Sequence, residues 1–200
     1  MIAKVRTVKL ALTCLLVTTL LGIFGCGAGS LSYVAKYPSL SPSISAIPRP
    51  NLFLVKNFEI KDAIFSGNNI DNTAFISAQR RKIPEELKNN ILDQFAQRNL
   101  TARDYSKDVI NTPDALVVDG SITEVNNGSG ATRFWIGFGA GKAMIIAKVK
   151  VYNTRDTNIM LAEFGANASS QGSINPGDLT SGNLSYLATT IADYIEKQFK

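Results

Sequence analysis

Histidine is absent from all 200 residues. A Ser-His-Asp triad, an imidazole acid or base and an imidazole-ligated metal are therefore closed to this chain on its own. Cysteine occurs only at Cys14 and Cys26, and tryptophan only at Trp135. Charged residues are scarce too, at 18% against 45% hydrophobic, with a mean hydropathy of +0.05. Such a chain can bury a core, and its length leaves room for one ordinary domain plus attachments. The formal charge of +5 invites a nucleic-acid reading until the charges are located. Three of the 21 basic residues, Lys4, Arg6 and Lys9, precede a long apolar run, so the chain after residue 25 carries 18 basic and 16 acidic residues. That near-neutral balance argues against a phosphate-tracking surface.

The apolar run covers residues 10–24 and carries no charge. Its 15 residues would reach roughly 22 Å as a helix, short of the roughly 30 Å hydrocarbon core. A charged start followed by a short apolar stretch is the order of a secretory signal. The junction Ile23-Phe24-Gly25-Cys26 resembles a bacterial lipobox, which predicts a lipoprotein signal peptide over 1–25, cleavage between Gly25 and Cys26, and lipidation of Cys26. The thiol takes a diacylglyceryl group as a thioether, and a further acyl chain such as palmitate adds to the anchor at roughly 0.8 kcal/mol per buried methylene. Cys14 leaves with the signal, so no internal disulfide can form, and lipidation caps the one remaining thiol. Gly27 stands where Asp would signal inner-membrane retention in enterobacterial lipoproteins, so the expected location is the periplasmic face of the outer membrane.

Residues 26–50 hold four Pro and six Ser without a sustained apolar period and read as a flexible tether. The periplasmic domain is expected over 51–200. Asn51 to Ile60 follows a Pro and is rich in strand formers. Pro84 with Glu85 and Glu86 reads as a helix start, and Leu87, Ile91 and Phe95 continue it as one apolar stripe to about Asn99. Residues 100–106 are expected as a short edge strand, 116–125 as a half-buried strand, and 143–152 and 158–168 as a hairpin. Leu184, Leu187, Ile191, Ile195 and Phe199 mark a last helix from about Thr180. The order predicts a single small α+β domain: a mixed, mostly antiparallel sheet with two helices packed on one face.

Between two of those strands lies Asn126 to Ala143, with five Gly, Trp135 and Arg133 in 18 residues. A phosphate loop fails on spacing, since Ile136 stands where its first Gly belongs and Ala143 follows Lys142 where Ser or Thr is needed. Gly137, Gly139 and Gly141 lead into a strand and not a helix, which excludes the dinucleotide fingerprint as well. Asp119-Gly120, the Arg133 to Lys142 stretch and Val149-Lys-Val-Tyr152 together resemble bacterial lipoproteins of the domain of unknown function 4410. The likeness spans about residues 50–199. It implies an exported lipoprotein with a small mixed α/β domain and no assigned activity. The glycines serve one of three ends: a tight turn with Trp135 and Phe138 packed on the sheet, a protruding hairpin, or contact with lipid headgroups. As a hairpin, Arg133, Phe134, Trp135, Phe138 and Lys142 would form a partner-binding surface.

Chemistry is thinly supported. Glu85 and Glu86 read as a helix-start pair, and Asp119 and Glu124 are expected on opposite faces of one strand, unable to converge. Arg80-Arg81-Lys82 reads as a solvated flank before the first helix, or as a contact to anionic headgroups or cell wall. The expectation is a non-enzymatic, lipid-anchored envelope protein without cofactor, metal, nucleotide or nucleic-acid partner, acting as an accessory or scaffold for another envelope protein. The rival readings are a small-molecule or glycan-binding module and, last, an unrecognised hydrolase.

Overall fold

The longest strand sets the frame. The computed structural model describes residues 28–35, 50–105, 112, 115–128, 142–154, 160–170 and 179–199. Within these, Ala115–Asn127 (β5) pairs antiparallel with Ala143–Asn153 (β6) along nearly its whole length, from Leu116↔Asn153 to Asn127↔Ala143. β6 pairs antiparallel with Met160–Ser170 (β7), as the Asn153 to Thr157 link predicts. On its other side β5 takes two short parallel partners in line, Leu52–Val55 (β2) and Ile64–Ser66 (β3), with an isolated bridge at Glu59↔Ser121 between them. Ala102–Asp104 (β4) adds parallel to β2 at the edge, where a strand is expected. Ala28–Ala35 (β1) closes the opposite edge, antiparallel to β7. The order is β1-β7-β6-β5-β2-β4, with β3 beside β5.

β1 lies inside the stretch read as a tether. Leu31, Tyr33 and Val34 are strand formers, but the Gly and Ser around them mask the pattern, and pairing with β7 supplies hydrogen bonds that local composition does not announce. The expected strand over 51–60 is shorter, ending at Val55: beyond it Phe58 and Ile60 are buried in the core, and Glu59 makes a single bridge to β5 before β3 begins.

Both helices cover one face of the sheet, as expected. Thr73–Gln97 (α1) buries Ile83, Leu87, Ile91 and Phe95, and Leu179–Phe199 (α2) buries Leu184, Leu187, Ile191, Ile195 and Phe199. They meet Phe53, Val55, Val118, Ile122, Ile145, Val149 and Phe164 in one cluster. Ring contacts between Phe53 and Phe95 at 5.0 Å and between Phe164 and Tyr194 at 4.1 Å tie one helix to each half of the sheet.

The start of α1 corrects the reading at Pro84. The helix begins eleven residues earlier, where the Asn72 side chain accepts from Phe75 N–H at 3.0 Å and caps the first turn. Pro84 sits inside the helix, where its missing N–H leaves the Arg80 carbonyl without its usual partner. Glu85 and Glu86 are therefore mid-helix residues, with Glu86 3.4 Å from Lys82 one turn back. The basic cluster also lies within the helix. Arg80 donates to the carbonyls of Ile60 at 2.7 Å and Lys61 at 2.6 Å, with its guanidinium 4.8 Å from the Phe65 ring. It fastens the β2–β3 connection to the helix and is not a solvated flank.

Candidate functional site

The residues singled out by sequence divide sharply. Gly25, Cys26, Arg133, Phe134, Trp135, Gly137, Phe138, Gly139 and Gly141 lie outside the described residues. Lys142 is described, half-buried beside Ala143, the first residue of β6. The flanks of the glycine-rich segment are firmly placed. Asn127 pairs with Ala143, so the segment leaves and re-enters the fold side by side at one end of the sheet. Gly128 is held there by three contacts. Its N–H donates to the Asn126 side chain at 2.8 Å, its carbonyl accepts from Asn68 N–H at 2.8 Å, and Gly67 lies against it. Gly67 has φ +87° and Gly128 φ +70°, which other residues rarely adopt. A Cβ at Gly67 would stand 2.7 Å from the Gly128 carbonyl oxygen, so the approach itself requires glycine.

A second group of polar residues stands on the sheet face away from the helices, and sequence reasoning passed over most of it. Lys56 follows β2 and Asp119 lies on the neighbouring β5, with their side chains 3.1 Å apart. Tyr152, across from Val117 on β6, donates to the same Asp119 oxygen at 3.3 Å. The ammonium of Lys56 lies 4.7 Å from the Tyr105 ring centre and 5.3 Å from that of Tyr152. Beneath them Leu52, Leu54, Ala115 and Val117 form a small second apolar cluster. This explains why β5 is buried on both faces there instead of on one. A charged residue in the middle of Leu116-Val-Val-Asp-Gly120 was the available signal, since a carboxylate in such a run needs a partner.

The chemistry of this group is that of a closed ion pair. Burial works to lower the Lys56 pKa, but interactions with Tyr152 and Asp119 outweigh it and hold the ammonium above its ordinary value. Burial, with the nearby Asp119 charge, pushes Tyr152 up as well. A lysine nucleophile or base needs the opposite shift, so the cluster holds Lys56 charged and Tyr152 protonated. Asp119 and Glu124 do share this outer face, contrary to the alternation expected. A bulge between Ile122 and Glu124 inserts one residue, which puts Ile122 and Val125 together in the core. Asp119 is nonetheless committed to Lys56 and Tyr152, five residues along from Glu124.

Beside that bulge, Glu59, Lys61, Asp62, Ser121 and Thr123 line a shallow cleft of about 180 Å³. That is well under the roughly 300–1,000 Å³ typical of small-molecule sites. Among the described residues no three His, Cys, Asp or Glu side chains gather where a metal could bind, and no helix is long and apolar enough to cross a membrane.

No curated protein matches the chain. Among solved structures it is similar to the PelC dodecamer from Paraburkholderia phytofirmans, with 7% identity, a TM-score of 0.46, and 84% of this chain and 98% of that one covered. A DUF330 protein from Xanthomonas campestris aligns with 13% identity and a TM-score of 0.44, over 77% of this chain and 89% of that one. A lipoprotein from Neisseria meningitidis aligns with 14% identity and a TM-score of 0.25, over 74% and 99%. The family model for the domain of unknown function DUF4410 matches residues 53–171, from the second residue of β2 to just past β7 and so across the sheet core, α1, Gly120 and the whole glycine-rich segment; the chain belongs to that family.

Proposed function

We propose that this protein is a lipid-anchored component of the bacterial cell envelope, held at the periplasmic face of the outer membrane, that acts by binding another envelope protein and not by catalysis. The observation that carries the reading is the placement of the two flanks of the glycine-rich segment. The longest strand, β5, and its antiparallel partner β6 stay paired to their ends and deliver Gly128 and Lys142 to the same sheet end. Between them run Arg133, Phe134, Trp135 and Phe138. Trp and Arg are the residue types that most often dominate binding energy when a partner desolvates them. The charged start, the apolar run and Ile23 to Cys26 support export and lipidation.

Photo-crosslinkers at Phe134 and Phe138 in living cells test the reading. They are expected to trap one discrete protein, and a crosslinker at Asn89, exposed on α1, is expected to trap none. Lys88 would be a poor control, because its ammonium pairs with Asp104 on β4 and is largely covered. If Arg133→Ala and Trp135→Ala leave the crosslinked species unchanged, the segment is not the binding surface.

A further inference from the structure

The two ends of the sheet are unlike. One end gathers the start of β1, the end of β7, the start of β6, the end of β5 and the turn from β3 into α1. The register fixes this: Ala28 pairs with Ser169, Ser169 with Met144, and Asn127 with Ala143, while Asn68 is bonded to Gly128. The other end holds Thr101, Leu52, Ala115, Asn153 and Met160.

Two independent observations single out the first end. Cys26 precedes Ala28 by two residues, which span at most about 7 Å of chain. The headgroup layer on each side of a bilayer is itself roughly 5–8 Å deep. A diacylglyceryl group on Cys26 therefore leaves no slack to lift β1 clear of the membrane. The second observation concerns exposed apolar side chains. Among the described residues the large exposed ones are Leu31 (41%), Ile64 (68%), Ile70 (47%) and Tyr186 (38%), and all four lie in this half of the domain. Leu31 is the fourth residue of β1, and Ile64 pairs with Glu124, three before the end of β5. Ile70 sits in the end turn itself. The Tyr186 carbonyl oxygen lies 2.6 Å from where a Cβ on Gly29 would stand, which places that residue level with the start of β1. At about 3.3 Å per strand residue, none of the four is more than roughly 10 Å from the end.

We infer that this end of the sheet is a membrane-resting surface and that its partner is the lipid bilayer. The inference rests on lipidation of Cys26 as proposed above. Leu31 and Tyr186 meet the interface near the anchor, and Ile70 meets it on the far side of the sheet, four strand spacings or about 19 Å away. Lys142 offers a cation at the same end for anionic headgroups. A protein reached through the segment between Gly128 and Lys142 is then one held in or on the same bilayer.

The test uses the purified lipidated protein in phosphatidylethanolamine/phosphatidylglycerol vesicles containing a nitroxide-headgroup lipid. A bimane label is placed on single cysteines at Ile70→Cys, Leu31→Cys or Thr101→Cys, with the lipidated Cys26 unreactive. Quenching is expected to be at least threefold stronger at positions 31 and 70 than at 101. Equal quenching at 70 and 101 overturns the inference. Strong quenching at 31 alone also overturns it, since the domain would then lie on its β1 flank. The intact mass of each sample separates the two claims: a chain without the diacylglyceryl group removes the lipidation reading and the inference with it, whereas a lipid-bearing chain with equal quenching removes the inference only.

Discussion

Gly120 is buried on the helix-covered face of β5, where Phe58 lies directly over it. A Cβ built there would stand 2.4 Å from the Lys148 carbonyl oxygen and 2.7 and 2.9 Å from two ring carbons of Phe58. All three distances are far inside contact, and one obstacle is the backbone of the paired strand, which cannot rotate away. Gly120→Ala would lower the conformational freedom of the unfolded chain, a gain of roughly 0.4–1 kcal/mol in an unstrained site. Forcing a methyl group into a filled core costs about 1–3 kcal/mol, and the backbone contact argues for the upper part of that range. The net expectation is destabilisation by about 1–2 kcal/mol. With a urea slope of about 1–3 kcal/mol/M, the midpoint falls by roughly 0.3–2 M. Urea unfolding of the lipid-free chain from Gly27, followed by far-ultraviolet circular dichroism, measures this directly. Phe58→Leu in the same background should reduce the cost of the alanine by about 0.5 kcal/mol or more, because it relieves the ring contacts and leaves the carbonyl contact in place. A Gly120→Ala protein as stable as the parent would refute the close approach of Phe58 and β6 to this residue.

The Lys56 cluster predicts a loss of stability in alkali. The folded-state pKa values of Lys56 and Tyr152 are both raised, so the native chain holds these protons more tightly than the unfolded chain. Their contribution is therefore complete below about pH 10 and lost as the pH rises through the raised values. Asp119→Asn removes the carboxylate that holds up Lys56 and should flatten the alkaline limb of a melting-temperature profile; an unchanged limb would count against the network. Arg80→Ala should destabilise by about 1.5–3 kcal/mol, since it strips a charged donor from the carbonyls of Ile60 and Lys61. Arg81→Ala, on the exposed side of α1, should change stability by less than about 0.5 kcal/mol in the same denaturation assay.

Periodicity made the second helix and the paired strands legible. Leu184, Leu187, Ile191 and Ile195 recur at helical spacing and are all buried, and the turn residues from Asn153 to Thr157 join strands that do pair antiparallel. Punctuation misled at Pro84, because Pro followed by two acids imitates a first turn. The true start was an asparagine cap among other polar residues, which competes with every Asn in Gly67-Asn-Asn-Ile-Asp-Asn72. β1 was hidden for a different reason: an edge strand gains its stability from the partner's hydrogen bonds, and no periodic signal is needed in eight residues. The bulge before Glu124 inverted the face assignment of everything beyond it, and nothing in Ser-Ile-Thr-Glu124 announces an unpaired residue. At the candidate site, the sequence named the glycine-rich stretch by its composition. Only the register of β5, β6 and β1 shows that its two ends share a sheet end with the start of the first strand.

Growing cells on labelled palmitate and comparing the parent protein with Cys26→Ala tests the envelope-lipoprotein reading most directly. Label is expected on the parent, with the protein in the membrane fraction, and no label on the Cys26→Ala chain, which should leave that fraction. Equal labelling of the two proteins would contradict it.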